Sequence, residues 1–283
     1  MVVVDDSVFW LGPLGALRAL PSPSLGGAPE MVPVRTGGLH RSITGRPTLD
    51  RLGIRRTWVL TWPYLDEDTH RWLSLLYAGL LGGPVWLLDP TAGNRLPVQV
   101  ATAGSVEHGP EGFATAGTLT WQATPVTPPD HPAPAGSGAL TWTTADTGGG
   151  LLLTRSAVPV LPGEPVTFAA SAASTVPVTL TAFVLNAADV VITTVSTAPA
   201  TPSSGGARMR LTVPATDGAA SVRPGLVLGQ AGTVTTSAWS LTSGPEPVEW
   251  SAGGGAAMVL IESLPWKYPV PGSFATTLTL LEV

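Results

Sequence analysis

Ile54-Arg55-Arg56-Thr57-Trp58-Val59-Leu60-Thr61-Trp62 reads as a β-strand, and the change of pattern just beyond it decides the fold. Ile54, Trp58, Leu60 and Trp62 alternate with Arg55, Thr57, Val59 and Thr61, the period of two that puts one face in a core. After Pro63 the period changes. Trp72, Leu73, Leu76, Tyr77 and Leu80 recur at helical spacing, and Gly82-Gly83 ends the run. Pro84-Val85-Trp86-Leu87-Leu88-Asp89-Pro90 then reads as a second, short, buried strand. Residues 54–97 therefore hold strand, helix and strand, and only β-like sequence comes after them. The helix is expected over 66–81, with Asp66 as its N-cap and Glu67 and Asp68 at the positive end of its dipole.

Composition agrees with a mainly β chain. There are 33 glycines and 29 prolines in 283 residues, and only 12% of residues are charged, which fits turn-rich β-sandwiches better than helical bundles. A hydrophobic content of 44% and a net charge of −5 exclude a disordered chain. The acidic balance argues against nucleic-acid recognition, which needs a basic surface. The densest basic cluster, Arg51 with Arg55-Arg56, reads as a solvated patch. With no cysteine there is neither a disulfide framework nor a thiolate metal site. Met1-Val2-Val3-Val4-Asp5-Asp6 lacks the basic start and apolar core of a signal peptide, so the expectation is synthesis in the cytoplasm. The most apolar window, 75–88, is broken by Gly82-Gly83-Pro84 and is shorter than the ~20 residues that span a bilayer, so membrane insertion is not expected.

Aromatic residues divide the chain. Trp10, Trp58, Trp62, Trp72, Trp86, Trp121, Trp250 and Trp266 lie outside residues 130–247, as do all tyrosines. The borders of that segment, 125–138 and 243–247, are rich in Pro, Gly and Ser and read as crossings between domains. The expected organisation is a body domain of residues 1–129 and 248–283, interrupted by an inserted domain of residues 130–247. In the body, strands are expected at 2–10, 30–35, 54–62, 84–88, 96–103, 117–124, 257–263 and 275–283. The insert reads as short strands at 139–143, 151–154, 166–170, 178–185, 190–194, 208–213, 220–228 and 233–241, a density that suggests a sandwich or jelly roll. Met209, Leu211 and Val213 alternate with Arg208, Arg210 and Thr212, giving one dry and one wet face.

No catalytic constellation emerges. His40, His70, His108 and His131 have no ligand spacing, and His70 reads as an exposed helix residue. There is no nucleophile elbow, and Gly253-Gly254-Gly255 lacks the Lys-Ser/Thr signature of a phosphate loop. Asp5-Asp6 is terminal, and Asp66-Glu67-Asp68 is explained by helix capping. The expectation is a protein without enzymatic activity. Two binding readings remain for the insert. Trp142 or Trp239 could stack on the apolar face of a sugar, although each sits in a strand pattern that fits core burial as well. No cofactor is expected; Asp146, Glu164 and Asp217 are the loop carboxylates available to a structural Ca²⁺, at a spacing that matches no calcium loop.

Trp58-Val59-Leu60-Thr61-Trp62, the helix to Leu81-Gly82, Trp86-Leu87-Leu88-Asp89-Pro90, Asn94-Arg95-Leu96-Pro97 and the closing run from Phe274 to Val283 resemble the tail-tube-like β-sandwich or split barrel of tailed-bacteriophage distal tail proteins and actinobacteriophage minor tail proteins. Val160-Leu161-Pro162-Gly163-Glu164-Pro165-Val166-Thr167-Phe168, Ser221-Val222-Arg223-Pro224-Gly225-Leu226 and Ala238-Trp239-Ser240-Leu241 resemble the jelly roll of carbohydrate-binding modules. The insert has few aromatics for a sugar-binding member of that group. The resemblance implies a structural protein at the virion tail tip. It would be a homo-oligomer, commonly a hexameric ring, joining the tail tube to the hub or baseplate, with the tape measure as a further neighbour. Its insert would face outward, where it can meet host-surface glycans. The rival readings are a stand-alone carbohydrate-binding or adhesion module, and another tube or baseplate subunit of a tail or contractile injection system.

Overall fold

The computed structural model describes residues 8–23, 29–36, 39–41, 47–49, 53–102, 110–124, 138–246 and 249–283. Most of the strand expected at 2–10, the Asp5-Asp6 pair, Arg51, His108, His131 and nearly all of the 125–138 border lie outside the described residues. In chain order the elements are β1 (Trp10–Pro13), β2 (Arg18–Ala19), β3 (Glu30–Thr36), β4 (Leu39–Arg41), β5 (Pro47–Leu49), β6 (Gly53–Asp66) and α1 (Glu67–Tyr77). Then come β7 (Val85–Leu88), α2 (Val98–Ala101), β8 (Phe113–Ala116), β9 (Thr120–Thr124), β10 (Ala139–Thr144), β11 (Gly150–Thr154) and β12 (Val158–Pro159). The last are β13 (Val166–Ser174), β14 (Val178–Leu185), β15 (Val191–Ser196), β16 (Ala207–Val213), β17 (Ser221–Leu228), β18 (Gly232–Ser243), β19 (Ala256–Ser263), β20 (Trp266–Val270) and β21 (Ser273–Glu282). The fold is mainly β.

The chain divides into two compact units, one holding residues 88–256 with 14–17, the other residues 8–13, 18–87 and 257–283. In the second unit the strand order is β2-β1-β7-β19-β21-β6-β3, with β20 added on β21. The carboxy-terminal β21 lies antiparallel between β19 and β6, with Leu280 opposite Trp58 and Leu278 opposite Leu60. The end of the chain thus completes the sheet begun by its amino-terminal part. Helix α1 covers one face of this sheet. Its Leu73 and Leu76 join Trp58, Leu60, Trp62, Leu278, Leu280, Ile261 and Leu11 in one core, each such leucine contributing about 1.5–3 kcal/mol by leaving water.

The helix starts as its sequence dictates: Asp66 Oδ1 accepts from the Thr69 amide at 2.8 Å. It stops earlier than the apolar spacing implies. Gly79 takes the left-handed conformation (φ 70°), its amide donates to Leu76 O and that of Leu80 to Leu75 O, so a C-terminal cap closes the helix at Tyr77. Leu80 is left exposed.

The other unit is a sandwich. A five-stranded sheet, β16-β13-β18-β10-β9, faces a six-stranded sheet, β15-β14-β17-β11-β8 with β12 on β17. Phe113 of β8 packs edge-on to Trp142 of β10 and Trp239 of β18, at 5.8 and 4.9 Å between ring centres, and Phe168 of β13 closes the cluster. The strand expected at 117–124 is in fact two. Gly117 turns the chain (φ 86°) between β8, which pairs β11, and β9, which pairs β10. This places residues 113–124 in the sandwich, and the compact unit that holds it takes in residues 88–256 with 14–17, where 130–247 was expected. The described residues of the strand expected at 96–103, 96–102, do not form one. After Pro97 the chain coils into α2, where Pro97 O accepts from the Val100 and Ala101 amides. Proline suits a helix start because it has no amide to leave unpaired.

Candidate functional site

Neither tryptophan considered for sugar stacking is available. Trp142 and Trp239 are 2% and 0% exposed, in the core between the two sheets, and Trp239 Nε1 donates to Thr236 Oγ1 at 2.7 Å. Alternation along β10 and β18 turns both rings inward. The three calcium candidates are not brought together. Glu164 is held by Arg95, Asp146 Oδ1 accepts from the Gly148 amide at 2.9 Å, and Asp217 lies in the turn before β17. Among the described residues no three carboxylate or imidazole groups converge on a metal position.

On the outer face of the five-stranded sheet Thr143, Arg210 and Thr212 are exposed, while Thr141, Ser171, Ser237 and Ser240 are buried. Register sets the side chains in rows. Thr143 lies opposite Thr233 and Thr141 opposite Thr235, their hydroxyls 3.1 and 2.9 Å apart. The next row runs Ser237, Ser171, Arg208 across β18, β13 and β16. Then β18 bulges. Its pairing with β13 slips between Ala169 and Ser171, and Ala238 adopts φ 51°, a left-handed conformation that costs an alanine ~1 kcal/mol or more. The guanidinium of Arg208 lies over this bulge, with Nη1 donating to Ala238 O and Nη2 to Ser240 Oγ at 2.6 Å. Burial first, and the charge of Arg210 second, push Arg208 down to about 10. Ser171 is 6% exposed and its hydroxyl has no partner.

The bulged half of β18 is held along its free side by a segment rather than by a strand. Asn94 Oδ1 accepts from the amides of Leu241 (3.0 Å) and Leu96 (3.1 Å), and its Nδ2 donates to Trp239 O and Ser251 O, both at 3.0 Å. A fully buried amide thus has both donors and both acceptor sites filled. The triple glycine is part of the same clamp. The Gly254 and Gly255 amides donate to Leu96 O and Asn94 O, and a Cβ on Gly255 would stand 2.4 Å from Ala92 O. It is a close-packing loop.

In the sheet-and-helix unit the acidic cluster is structural. Asp66 caps α1, Glu67 pairs with Arg71 at 3.1 Å and Asp68 with Arg18 at 3.3 Å. Of the basic cluster, Arg56 grips Glu282 at 2.7 Å and lies over the Trp58 ring. His70, expected to be exposed, is buried. Its ring stacks on Phe274 with centres 3.9 Å apart, and Trp266 stands edge-on to both. Burial holds His70 below the usual imidazole range. Trp266 and Tyr268, on a strand exposed throughout, carry this aromatic cluster to the surface.

Sequence reading missed Arg208 and Arg210 as a site. The signal was there in part, as two arginines two apart on the wet side of a strand with no acid beside them. Their neighbours Ser171, Ser237 and Ser240 belong to other strands and meet them only through register.

Neither a protein-family model nor a curated protein matches the sequence. Solved structures are similar to part of it. The enzymatically active domain of tailspike protein 4 from bacteriophage CBA120 is 11% identical over 53% of this chain, with a TM-score of 0.43. The match spans 21% of that chain, about a fifth of its length. The CBM22-1 xylan-binding domain of Xyn10C from Paenibacillus barcinonensis is 12% identical, covering 48% of this chain and 88% of its own, with a TM-score of 0.35. TmCBM61, solved in complex with β-1,4-galactotriose, is 12% identical over 47% and 88%, with a TM-score of 0.33. The fold class rests on the antiparallel sheets themselves.

Proposed function

We propose that the chain is a non-catalytic structural subunit of a bacteriophage tail tip. In this reading it is a ring-forming, distal-tail-like protein between tail tube and hub, and its sandwich unit meets glycans on the host surface. The observation that carries the assembly reading is an uncovered sheet face. Val32, Thr57, Leu281 and Leu260 lie side by side across β3, β6, β21 and β19, on the face turned away from α1. Val32, Val34, Met258 and Leu260 are exposed there. Contiguous aliphatic surface of this kind marks an interaction site, and covering it with a second copy contributes ~25 cal/mol per Å².

The edge of the same sheet is protected. Pro33 pairs with Arg56, whose amide points to Glu282 and away from β3. Pro33 therefore occupies a position facing the free edge and removes a donor there. Contact between copies would then run through the face rather than the edge. The membership of a tail tip comes from the sequence resemblance.

Mass measurement of the full chain in solution tests the reading. A discrete multimer that Leu260→Asp dissociates is expected, whereas a monomer at every concentration would contradict it. A second reading, a monomeric carbohydrate-binding or adhesion module, is favoured by the exposed Thr143–Thr233 pair and Arg210 on the outer face of the five-stranded sheet. It predicts glycan binding unchanged by Leu260→Asp and no multimer at all.

A further inference from the structure

We infer that Arg208 and Arg210, set over Ser171 on the outer face of the five-stranded sheet, form a subsite for the carboxylate of an acidic sugar. The inference rests on the glycan-contacting reading of the sandwich and adds the ligand class to it. A guanidinium carries five N–H donors. Arg208 spends two of them on neutral acceptors, Ala238 O and Ser240 Oγ. Among the described residues no carboxylate pairs with Arg208 or Arg210, although the chain has 19 acidic residues against 14 basic ones. Two like charges two residues apart on one strand, one of them largely buried, are costly unless an anion joins them.

The geometry around them is that of a prepared site. Ser171 lies directly opposite Arg208 in the ladder, nine-tenths buried, with its hydroxyl unpartnered. The strained bulge at Ala238 brings that residue's carbonyl to the Arg208 guanidinium and so anchors the fork. Arg210 is exposed beside it, so the free end of the site opens to solvent. A planar carboxylate matches the planar fork of arginine with two parallel hydrogen bonds.

The surroundings favour a sugar over an acidic protein segment. From the arginines the face continues past the part-buried Thr141–Thr235 pair to the exposed Thr143–Thr233 pair, whose hydroxyls suit sugar hydroxyls. The side chains that β13 adds on either side of Ser171 are small, those of Ala169, which is fully buried, and Ala173, which is half-buried. A protein interface would centre on aromatic or large aliphatic groups. The ligand class is therefore a uronic-acid oligosaccharide.

Calorimetric titration of the full chain with an oligogalacturonate and with its methyl ester tests this. The acid form is expected to bind about tenfold tighter or more, the scale of one charge-assisted hydrogen bond, and to weaken with added salt. Arg210→Gln, at an exposed position, should abolish the preference without lowering the melting temperature. Arg208→Gln should do the same, whatever it does to stability. Equal affinity for acid and ester, unchanged in Arg210→Gln, would overturn the subsite and leave the glycan reading standing. Displacement of the oligogalacturonate by polyglutamate at equal concentration would overturn the sugar assignment in favour of an acidic protein segment. Failure to bind any glycan, neutral or acidic, would remove both the subsite and the glycan reading.

Discussion

Arg95 and Glu164 meet in a two-pronged ion pair, Nη1 to Oε2 at 2.7 Å and Nη2 to Oε1 at 2.6 Å, with the Glu164 side chain 1% exposed. Glu164 also accepts from the Leu161 amide at 2.8 Å and from Ser243 Oγ at 2.6 Å. The pair ties the segment before α2 to the entry of β13. Because both charges are desolvated, removing one leaves the other stranded. Glu164→Ala should therefore destabilise the sandwich by about 3–5 kcal/mol in denaturant unfolding. The double replacement Arg95→Met with Glu164→Leu should recover most of that loss, since no buried charge remains.

Asn94 offers a second test in the same unit. Asn94→Ala strips partners from the Leu241 amide and from the Trp239 carbonyl at the bulge. Each buried group left unpaired costs about 1–3 kcal/mol. Hydrogen exchange should report it locally, with faster exchange at Leu241 and little change in β14 or β17.

Leu76→Asp places a carboxylate in the core beneath α1, where Leu76 packs with Trp58 and Leu278. The helix is too short to persist without that packing. The substitution should unfold the sheet-and-helix unit, with loss of helical circular dichroism. His70→Phe, which keeps an aromatic ring on Phe274, should be tolerated far better.

The same histidine predicts a pH dependence. Burial keeps the folded-state value of His70 below the 6.5 of a free imidazole. The unfolded chain therefore binds more protons between the two values, and stability rises with pH across that window. The contribution is fully present above 6.5 and is lost as the pH falls through the folded value. Thermal melts from pH 7.5 downward should show the unit weakening below 6.5, and His70→Phe should flatten the slope. Asp66 adds a lower window. Burial pushes its carboxyl up, but hydrogen bonds from the Thr69 amide and hydroxyl and from the Asp66 and Asp68 amides together outweigh this and hold it below the usual 3.8, so the cap is lost as acidity passes through that range.

The switch of period at Pro63 made the strand–helix–strand legible, because α1 and β6 each bury one regular face. The wet and dry alternation of 208–213 was legible for the same reason, and Met209, Leu211 and Val213 all lie on the inward-facing side of β16. Local pattern could not distinguish 96–103 as a strand from a single helical turn, since one turn leaves no periodicity to read. Nor could it separate β8 from β9, since Gly117 is a turn only if its φ is positive. His70 was misplaced because the ring that buries it, Phe274, belongs to a strand at the other end of the chain. The Arg208 site was illegible for a related reason: a row across three strands exists only once register is fixed.

Whether the chain assembles into a ring is decided by electron microscopy of the purified 283-residue chain. Closed rings, commonly of six copies, with lobes on their periphery are the expected particles. Dispersed single copies at every concentration would refute ring formation.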